Sequence, residues 1–479
     1  MEKKACIAMV PCPGHGHLIP LLEFAKLLLL HHGNDFHVTF LIPTLGPPSP
    51  STIAIIDTLP SNIHFTFLPP INIQDLHLQS PNPVPQMILT VRHSLPSLRQ
   101  SLSSLSSRTK LVALVLDQFS LDALHLAKEF KISSYIAYSS GAATLSFELS
   151  FPKFDESVPE SEFLDFEQTM DVPGCGYASF KVKDLPDPIL FHRSSDVYTT
   201  YLSVCQKSLL VDGIIVNTFN DLEPEAIRAL QQGKALRTPS PSVYPVGPVV
   251  AQPKQKTEVD ECVAWLNHQP SKSVLYVCFG SGGTLSQEQI NEIAFGLELS
   301  GHKFLWVVRV PSEIPNAGYV IGEKEKDPIQ YLPPGFVNRT KGQGLVVPSW
   351  APQIEILAHG STGGFLSHCG WNSTLESIVH GVPMIAWPLF AEQRMNAILL
   401  TDELRVAVRP QGDKEDRMVK RDEIAEVVKR IMDHNDEEGL EMRKRIQDLS
   451  DAAAVALSEN GSSTKALSSL AHELLNKSI

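Results

Sequence analysis

Short runs of valine, isoleucine, leucine and phenylalanine alternate along the chain with longer segments whose apolar residues recur at helical spacing. This alternation is typical of parallel β-sheets, because each crossover between parallel strands needs a helix. The predicted strands are ACIAMV, HVTFLI, HFTFL, LVALVLD, SYIAYS and GIIVNTF in the first half and SVLYVCFG, KFLWVVR, GLVVPSW, GGFLSH and PMIAWP in the second. The pattern therefore predicts an α/β protein with doubly wound sheets.

The alternation is interrupted in VYPVGPVVAQPKQKTEVD at 243–260, which is rich in proline, valine and charge. Because 479 residues exceed the usual length of one domain, we interpret this segment as an interdomain connection. The predicted organisation is one Rossmann-like domain over 1–245, a linker over 246–258 and a second Rossmann-like domain over 259–455. Residues 456–479 are predicted to include an amphipathic helix that packs back on the first domain.

Doubly wound sheets bind ligands beyond the carboxyl ends of their strands, where the strand order reverses. Two such domains facing each other would enclose a cleft between them. Polar residues that follow the predicted strands are therefore the candidates for chemistry.

The composition excludes some classes of function. Lysine and arginine number 40 against 53 acidic residues, and the formal net charge of −13 argues against nucleic acid or an anionic membrane as the main partner. Seven cysteines without a C-x-x-C pair indicate free thiols in a reducing compartment. No segment offers the roughly 18 uninterrupted apolar residues of a membrane span. We expect a cytoplasmic monomer, without membrane insertion, that acts on small molecules.

Two strand ends in the first half carry ionisable side chains. The first strand runs into PCPGHGHLIP, where Gly14 and Gly16 allow a tight turn. His15 and His17 lie on that turn. The strand LVALVLD ends in Asp117, which by itself reads as an ordinary helix N-cap. If the two strands are neighbours, the carboxylate of Asp117 can fix the tautomer of His17 and stabilise its protonated form.

Other interpretations of these residues remain open. A dinucleotide fingerprint would need glycine or alanine where the chain has Ile19. A metal site could use Cys12, His15 and His17, although no second group of ligands follows at metal-like spacing. AYSSG at 137–141 is a poor match to a nucleophile elbow. A histidine–aspartate pair without a protein nucleophile implies that the substrate supplies the attacking hydroxyl.

Strand ends in the second half carry groups suited to an anion. The turn CFGSGGT can offer backbone N–H groups around Ser281. The strand GGFLSH leads into CGWNSTLE, where His368, Asn372 and Ser373 crowd the N-terminal end of a helix, a place that favours phosphate. Ser373 and Glu376 also fit a capping box, which is a purely structural role.

Two further strand ends carry an aromatic ring and a polar pair. Trp350 in PSWAPQ offers a flat surface for stacking on a planar base, although packing alone would explain it. Glu392 and Gln393 in WPLFAEQ are good hydrogen-bond partners for vicinal hydroxyls, although an exposed polar pair would look the same. Sites for a base, a phosphate and a polyol together indicate a nucleotide sugar.

The run from Trp350 to Gln393, WAPQIEILAHGSTGGFLSHCGWNSTLESIVHGVPMIAWPLFAEQ, resembles the plant secondary-product glycosyltransferase signature. From end to end the chain resembles UDP-dependent glycosyltransferases of plant small molecules, which have the two-domain GT-B fold. PGHGHLIPLLEFAK, FGSGGTLS and YLPPGFVNRT are most similar to the hydroquinone glucosyltransferase (arbutin synthase) group.

The resemblance implies a role for each matching residue. His17 would be the catalytic base and Asp117 its acidic partner. In the donor site, Trp350 would stack on uracil, Ala351 would meet the base, Gln353 and Glu376 would bind the ribose, Ser281, His368, Asn372 and Ser373 would hold the diphosphate, and Trp371, Glu392 and Gln393 would contact the hexose. The final glutamine implies UDP-glucose as the donor. On the acceptor side we expect Phe119, with Ser140 in place of a threonine that touches the sugar.

The function predicted from these residues is inverting transfer of glucose from UDP-glucose to a hydroxyl of a small plant phenol. No metal or cofactor is expected, because neutral donors and a helix dipole would replace it and the chain has no D-x-D motif. A phenol, with a pKa of about 10, lies only a few units above an imidazole at about 6.5, which suits a histidine base. The alternatives are a nucleotide-sugar epimerase or hydrolase on the same GT-B scaffold, and a non-catalytic binding protein with a relic donor site.

Overall fold

The chain folds around two parallel β-sheets in a computed structural model. The structure describes residues 4–48, 52–53, 56, 59–72, 83–157, 165–176, 178–233, 240–253, 260–319, 327–413 and 418–476. Among them, no helix combines the length and the apolar character needed to cross a membrane.

The strands are β1 Ala5–Val10, β2 Phe36–Ile42, β3 Ile63–Phe67, β4 Lys110–Asp117, β5 Ser133–Tyr138, β6 Thr169–Met170, β7 Phe180–Lys181, β8 Gly213–Val216, β9 Ser242–Pro245, β10 Val274–Cys278, β11 Lys303–Val308, β12 Gly344–Pro348, β13 Thr362–Ser367, β14 Met384–Ala386 and β15 Ala407–Val408. The α-helices are α1 His15–His32, α2 Pro83–Arg108, α3 Leu124–Phe130, α4 Ala142–Ser157, α5 Asp196–Ser208, α6 Pro224–Gln231, α7 Glu261–Leu266, α8 Gln287–Ser300, α9 Phe336–Arg339, α10 Gln353–Leu357, α11 Trp371–Val379, α12 Gln393–Ile398, α13 Arg421–Met432, α14 Glu437–Ala456 and α15 Ser462–Asn476.

Each sheet reverses its strand order at one central point. The first sheet has the order β3-β2-β1-β4-β5-β8-β9 and the second β12-β11-β10-β13-β14-β15, and every pairing in both is parallel. The reversal lies between β1 and β4 in the first sheet and between β10 and β13 in the second. Because parallel strands end at the same edge, the segments after these four strands converge in pairs.

The central strands of both sheets are buried on both faces, as is usual for parallel sheets. Along β1, Ile7 and Ala8 contribute to different hydrophobic layers, and Tyr276 and Val277 do the same along β10. These side chains are completely buried. The near-continuous apolar runs in the sequence therefore reflect strands that have no solvent-facing side.

The predicted strands are all present, with ends that differ by a few residues, and the first residues of the proline-rich segment 243–260 belong to a further strand that was not predicted. Residues Ser242–Pro245, at the start of that segment, form β9 at the edge of the first sheet. Proline is tolerated there because an edge strand leaves one row of backbone groups unpaired. Residues 254–259 of the connection lie outside the described residues, and the proposed domain boundaries stay predictions.

The C-terminal helix α15 lies against the first sheet. Its apolar residues, including Leu470, join the same hydrophobic layer as Ile7. Glu473 accepts hydrogen bonds from the hydroxyls of Tyr135, at 3.2 Å, and of Tyr244. The amphipathic pattern near the end of the chain thus corresponds to a helix with one buried face.

Candidate active site

His17 and Asp117 meet at the reversal point of the first sheet. His17 lies in the first turn of α1, which follows β1 through a turn that ends at Gly14 with φ at 128°, a conformation that favours glycine. Asp117 is the last residue of β4, the neighbour of β1. The distance between His17 Nδ1 and Asp117 Oδ2 is 2.9 Å. Residues 100 positions apart in the chain therefore form one hydrogen-bonded pair.

Asp117 serves as an N-cap as well as a partner of His17. Its Oδ1 accepts a hydrogen bond from the backbone N–H of Phe119 at 2.9 Å, which caps the 3₁₀ segment Gln118–Ala123. Its Oδ2 remains for His17. The two readings of this carboxylate in the sequence are therefore compatible, because each uses a different oxygen.

The environment of His17 is electrostatically negative. Burial by itself lowers the pKa of the imidazole, but the charge and hydrogen bond of Asp117, together with the charge of Glu392, outweigh burial and raise the pKa above its ordinary value. An ionised Asp117 only accepts hydrogen bonds, so Nδ1 carries a proton and Nε2 is the free acceptor. The side chain of His17 is 19% exposed and that of Asp117 3%, so the imidazole reaches the solvent and the carboxylate does not. The ring of Phe119 lies beside the imidazole, with centroids 5.3 Å apart.

Contacts between the two halves of the chain bring this pair to the second sheet. Asn372 Nδ2, at the start of α11, donates to the carbonyl of Gly16 at 3.4 Å. The indole Nε1 of Trp371 donates to the carbonyl of Asn217 at 2.7 Å. The two strand-end regions therefore face one another across a single cleft.

His368 is held after β13 in a narrow space lined by backbone. An added Cβ on Gly280 would lie 2.5 Å from its ring, and one on Gly370 would lie 2.4 Å away, so side chains are excluded at both positions. Burial lowers the pKa of His368 to about 4, so the ring is neutral at pH 7. Its Nδ1 is buried without a hydrogen-bond partner among the described residues. A ligand atom placed there would satisfy this nitrogen.

The helix α11 begins without a side-chain cap, and the predicted capping box is wrong. The helix starts at Trp371 with Gly370 as its N-cap, so Ser373 already lies inside the first turn. The Nε2 of Gln353 instead donates to Ser373 Oγ at 2.9 Å and to Glu376 Oε2 at 2.7 Å. The N–H groups of the first turn are consequently not consumed by a side-chain cap.

The carboxyl group of Glu376 is perturbed by this arrangement. Burial raises its pKa to about 7, with the hydrogen bond from Gln353 acting in the opposite direction. Gln353, Ser373 and Glu376 thus form a preassembled polar group next to the helix N-terminus. They are residues that the resemblance associates with ribose and diphosphate.

Gln393 is buried, and the oxygen of its side-chain amide is hydrogen-bonded to the backbone of the preceding loop. Its Oε1 accepts hydrogen bonds from the N–H groups of Leu389 and Phe390, at 2.9 and 3.0 Å. The Nε2 takes no part in these two bonds. The side chain therefore has a fixed orientation with one donor group remaining.

Glu392 lies between the two halves of the site. Burial raises its pKa, and this is opposed by its own backbone, by the neighbouring side chains of Ser140 and Asn396, and by the charge of His17. Asn396 Nδ2 lies 3.3 Å from Glu392 Oε1. Ser140, one of the predicted acceptor-side residues, is consequently brought next to a predicted hexose contact.

The two tryptophans of the signature have different surroundings. Trp350 follows β12 and is 63% exposed, so it is not a core residue. Ala351 beside it is buried, and Ser281 lies exposed on the turn after β10. Trp371 is 3% exposed and its indole N–H is engaged by Asn217, so its side chain acts as an interdomain contact. Its predicted role at the hexose stays a prediction.

Sequence reasoning missed one buried ionisable residue, Glu148, whose charge interacts with that of Glu392. Glu148 of α4 accepts a hydrogen bond from the hydroxyl of Tyr201 at 3.1 Å, and burial raises its pKa to about 7. The signal was a lone glutamate in the apolar stretch SFELSF. Cys12, which the sequence suggested as a possible metal ligand, lies beside His17 and Asp117. The side chain of His15, the third residue of that suggestion, lies outside the described residues.

Two doubly wound sheets that turn their strand ends to one cleft, with ionisable groups on both sides, define the GT-B class of glycosyltransferases. A family model described as "UDP-glucoronosyl and UDP-glucosyl transferase" matches residues 178–436, and the chain belongs to this family. It is a UDP-glycosyltransferase of the hexosyltransferase type, whose donor substrate is a UDP-sugar.

Comparisons with individual proteins cover nearly the whole chain. Hydroquinone glucosyltransferase of Rauvolfia serpentina is 49% identical over 482 residues, which span 100% of this chain and 99% of that protein. The structure of Phytolacca americana UGT2 with UDP-2fluoro-glucose and pterostilbene has a TM-score of 0.87 at 44% identity, with 99% of both chains covered. A Polygonum tinctorium UDP-glucosyltransferase capable of glucosylating indoxyl, in complex with 3,4-dichloroaniline, has a TM-score of 0.89 at 44% identity, again with 99% of both chains covered. The predicted family, fold and enzyme class are confirmed.

Proposed function

We propose that this enzyme transfers glucose from UDP-glucose to the hydroxyl of a small plant phenol, with inversion at the anomeric carbon. The observation that carries the proposal is the 2.9 Å hydrogen bond between His17 and Asp117. Gly16, the neighbour of His17 in the chain, accepts a hydrogen bond from Asn372 of the second half. The names of the relatives, which include a hydroquinone glucosyltransferase and a complex with pterostilbene, support a phenolic acceptor.

The reaction is a single displacement. Nε2 of His17 takes the proton of the acceptor hydroxyl, and the acceptor oxygen forms a bond to the anomeric carbon. The bond from that carbon to the β-phosphate oxygen breaks, and UDP leaves with the electron pair. Asp117 stabilises the imidazolium until its proton passes to solvent. An α-linked donor thereby gives a β-glucoside.

The departing diphosphate acquires negative charge that donors of the second half would stabilise. The start of α11 presents N–H groups and the positive end of the helix dipole. Neutral His368 can donate one hydrogen bond, and the hydroxyls of Ser281 and Ser373 can donate others. In this role the donors replace a metal ion, so turnover should continue in the presence of a chelator.

The two domains would divide the substrates between them. The first would bind the phenol near Phe119, and the second would bind UDP-glucose, with uracil on the exposed indole of Trp350. The amide nitrogen of Gln393 and the carboxylate of Glu392 would select the hexose. The proposal includes a cytoplasmic monomer, which light scattering and fractionation would check.

The proposal is tested by incubating the enzyme with UDP-glucose and a panel of plant phenols, hydroquinone among them. Product mass should show one added hexose, and the anomeric proton coupling should show a β-linkage. An α-linked product would contradict a single displacement. Equal consumption of UDP-glucose with and without phenol would instead favour the hydrolase or epimerase alternative.

A further inference from the structure

Four potential metal ligands converge at the end of β1. The ligand atoms of Cys12, His17 and Asp117 all lie within 4.8 Å of one another. The thioether sulfur of Met87, on α2, lies 3.9 Å from Cys12 Sγ. A thiol, a thioether, an imidazole and a carboxylate therefore lie together. They come from the turn after β1, from α2, from α1 and from β4, respectively.

We propose that Cys12, Met87, His17 and Asp117 form an inhibitory binding site for a thiophilic metal cation. Two sulfur ligands with one nitrogen favour soft or borderline ions such as Cu⁺, Zn²⁺ or Cd²⁺. Mg²⁺ and Ca²⁺ prefer oxygen ligands and would not compete. Bonds of about 2.0–2.3 Å to a tetrahedral ion place its ligands roughly 3.3–3.8 Å apart, so small side-chain movements would close the site.

Occupation of this site is incompatible with turnover as proposed above. The cation would replace the thiol proton of Cys12, which is released to solvent. It would bind Nδ1 of His17 through the ring lone pair, with the Nδ1 proton transferred to Nε2, and Asp117 would bind the cation instead of the imidazole. His17 could then no longer accept a proton from the substrate. The metal site itself rests on the geometry, whereas the inhibition rests on the proposed function of His17.

Cys12 is set apart by its neighbours and not by its burial. All seven cysteines carry free, buried thiols. Cys6, on β1, has Thr39 Oγ1 at 3.8 Å as its neighbour and is outside the cluster. Cys6→Ser is therefore a matched control for Cys12→Ser, because both replace one buried thiol near β1 with a hydroxyl.

The test combines metal binding and activity for wild type, Cys12→Ser, Met87→Leu and Cys6→Ser. Cd²⁺ serves as the probe, because a cadmium–thiolate bond absorbs in the ultraviolet, and equilibrium dialysis measures the bound metal. Wild type and Cys6→Ser should bind one Cd²⁺ and show the thiolate absorption. The bound Cd²⁺ should abolish glucosyl transfer, and a chelator should restore it. Cys12→Ser should keep its basal activity but lose the thiolate absorption. Its affinity for Cd²⁺ should fall by about tenfold or more, as expected for a lost ligand. Met87→Leu should weaken Cd²⁺ binding by less.

Equal Cd²⁺ affinity in wild type and Cys12→Ser would overturn the site, and so would inhibition that persists unchanged in that variant. If Cys12→Ser does not fold, the comparison of Met87→Leu with wild type decides: no weakening there would count against the cluster. If Cd²⁺ binds through Cys12 while the rate stays unchanged, the inhibitory site is overturned, whereas the proposed function is tested separately by the rate of His17→Ala.

Discussion

The two sheets present functional side chains at equivalent places, the ends of adjacent central strands, but they hold them in different ways. In the first sheet, His17 depends on Asp117, which lies 100 residues away. In the second, nearly all the candidate residues fall in one run of sequence, and Gln353 is bonded to both Ser373 and Glu376 within it. One site is assembled by the pairing of distant strands, and the other by contacts within one continuous segment.

The two histidines show what this difference means for chemistry. His17 faces carboxylates, and its pKa is raised, whereas His368 is enclosed by backbone and its pKa falls to about 4. The same side chain thus suits the proposed base on one side of the cleft and the proposed neutral hydrogen-bond donor on the other. The comparison predicts that changes on the two sides affect different steps.

The largest effect is expected from His17→Ala. Loss of the general base should reduce kcat by about 10²–10⁴-fold. UDP affinity should change little, because the proposed diphosphate donors lie at the strand ends of the second sheet. Turnover assays and calorimetric titration with UDP measure the two quantities, and near-normal turnover would remove His17 from the role of base.

Asp117→Asn should reduce the rate nearly as much as His17→Ala and should also shift the pH dependence of the rate. The raised pKa of His17 means that kcat/KM rises with pH through an apparent pKa above about 6.5. Removing the negative charge should shift this acidic limb to lower pH and reduce the maximal rate. The amide oxygen can still cap Phe119, so the fold should persist. A pH–rate profile with an unmoved limb would show that Asp117 does not control the titration of His17.

His368→Ala should give the converse of His17→Ala. A hydrogen bond to a charged group contributes about 1.5–3 kcal/mol, so UDP affinity should fall by about 10–100-fold. Calorimetric titration with UDP, compared with His17→Ala as the matched variant on the opposite side, makes the test. Unchanged UDP affinity would place the diphosphate elsewhere.

Gln393→His should produce the smallest of these changes. Its Oε1 anchors two backbone N–H groups and its Nε2 is the proposed hexose donor, so UDP-glucose should lose roughly fivefold in kcat/KM, about one hydrogen bond. The kcat/KM with UDP-galactose should fall by less than this or should rise. The ratio of rates with the two sugars, measured for wild type and variant, checks the assignment, and an unaltered ratio would contradict it.

Several features could be predicted from the sequence because they depend on residues close together in the chain. The central strands were recognisable because both faces are apolar, and the donor-side residues because they lie in one contiguous signature. β15 was missed because a pair, Ala407–Val408, is too short to show a pattern. The capping box failed because Gly370, with no capping side chain, is the N-cap and the helix begins before Ser373.

The sequence by itself determined the α/β class and the family, and it supplied the candidate donor-site residues, since local pattern and contiguous motif suffice for these. Only the tertiary structure decided that one oxygen of Asp117 caps a turn while the other holds His17, that the indole of Trp371 crosses to the first domain, and that Cys12 and Met87 adjoin the pair. The physical reason is the pairing of β1 with β4, which brings distant parts of the chain together. The separation of two residues in the sequence does not reveal such a contact in space.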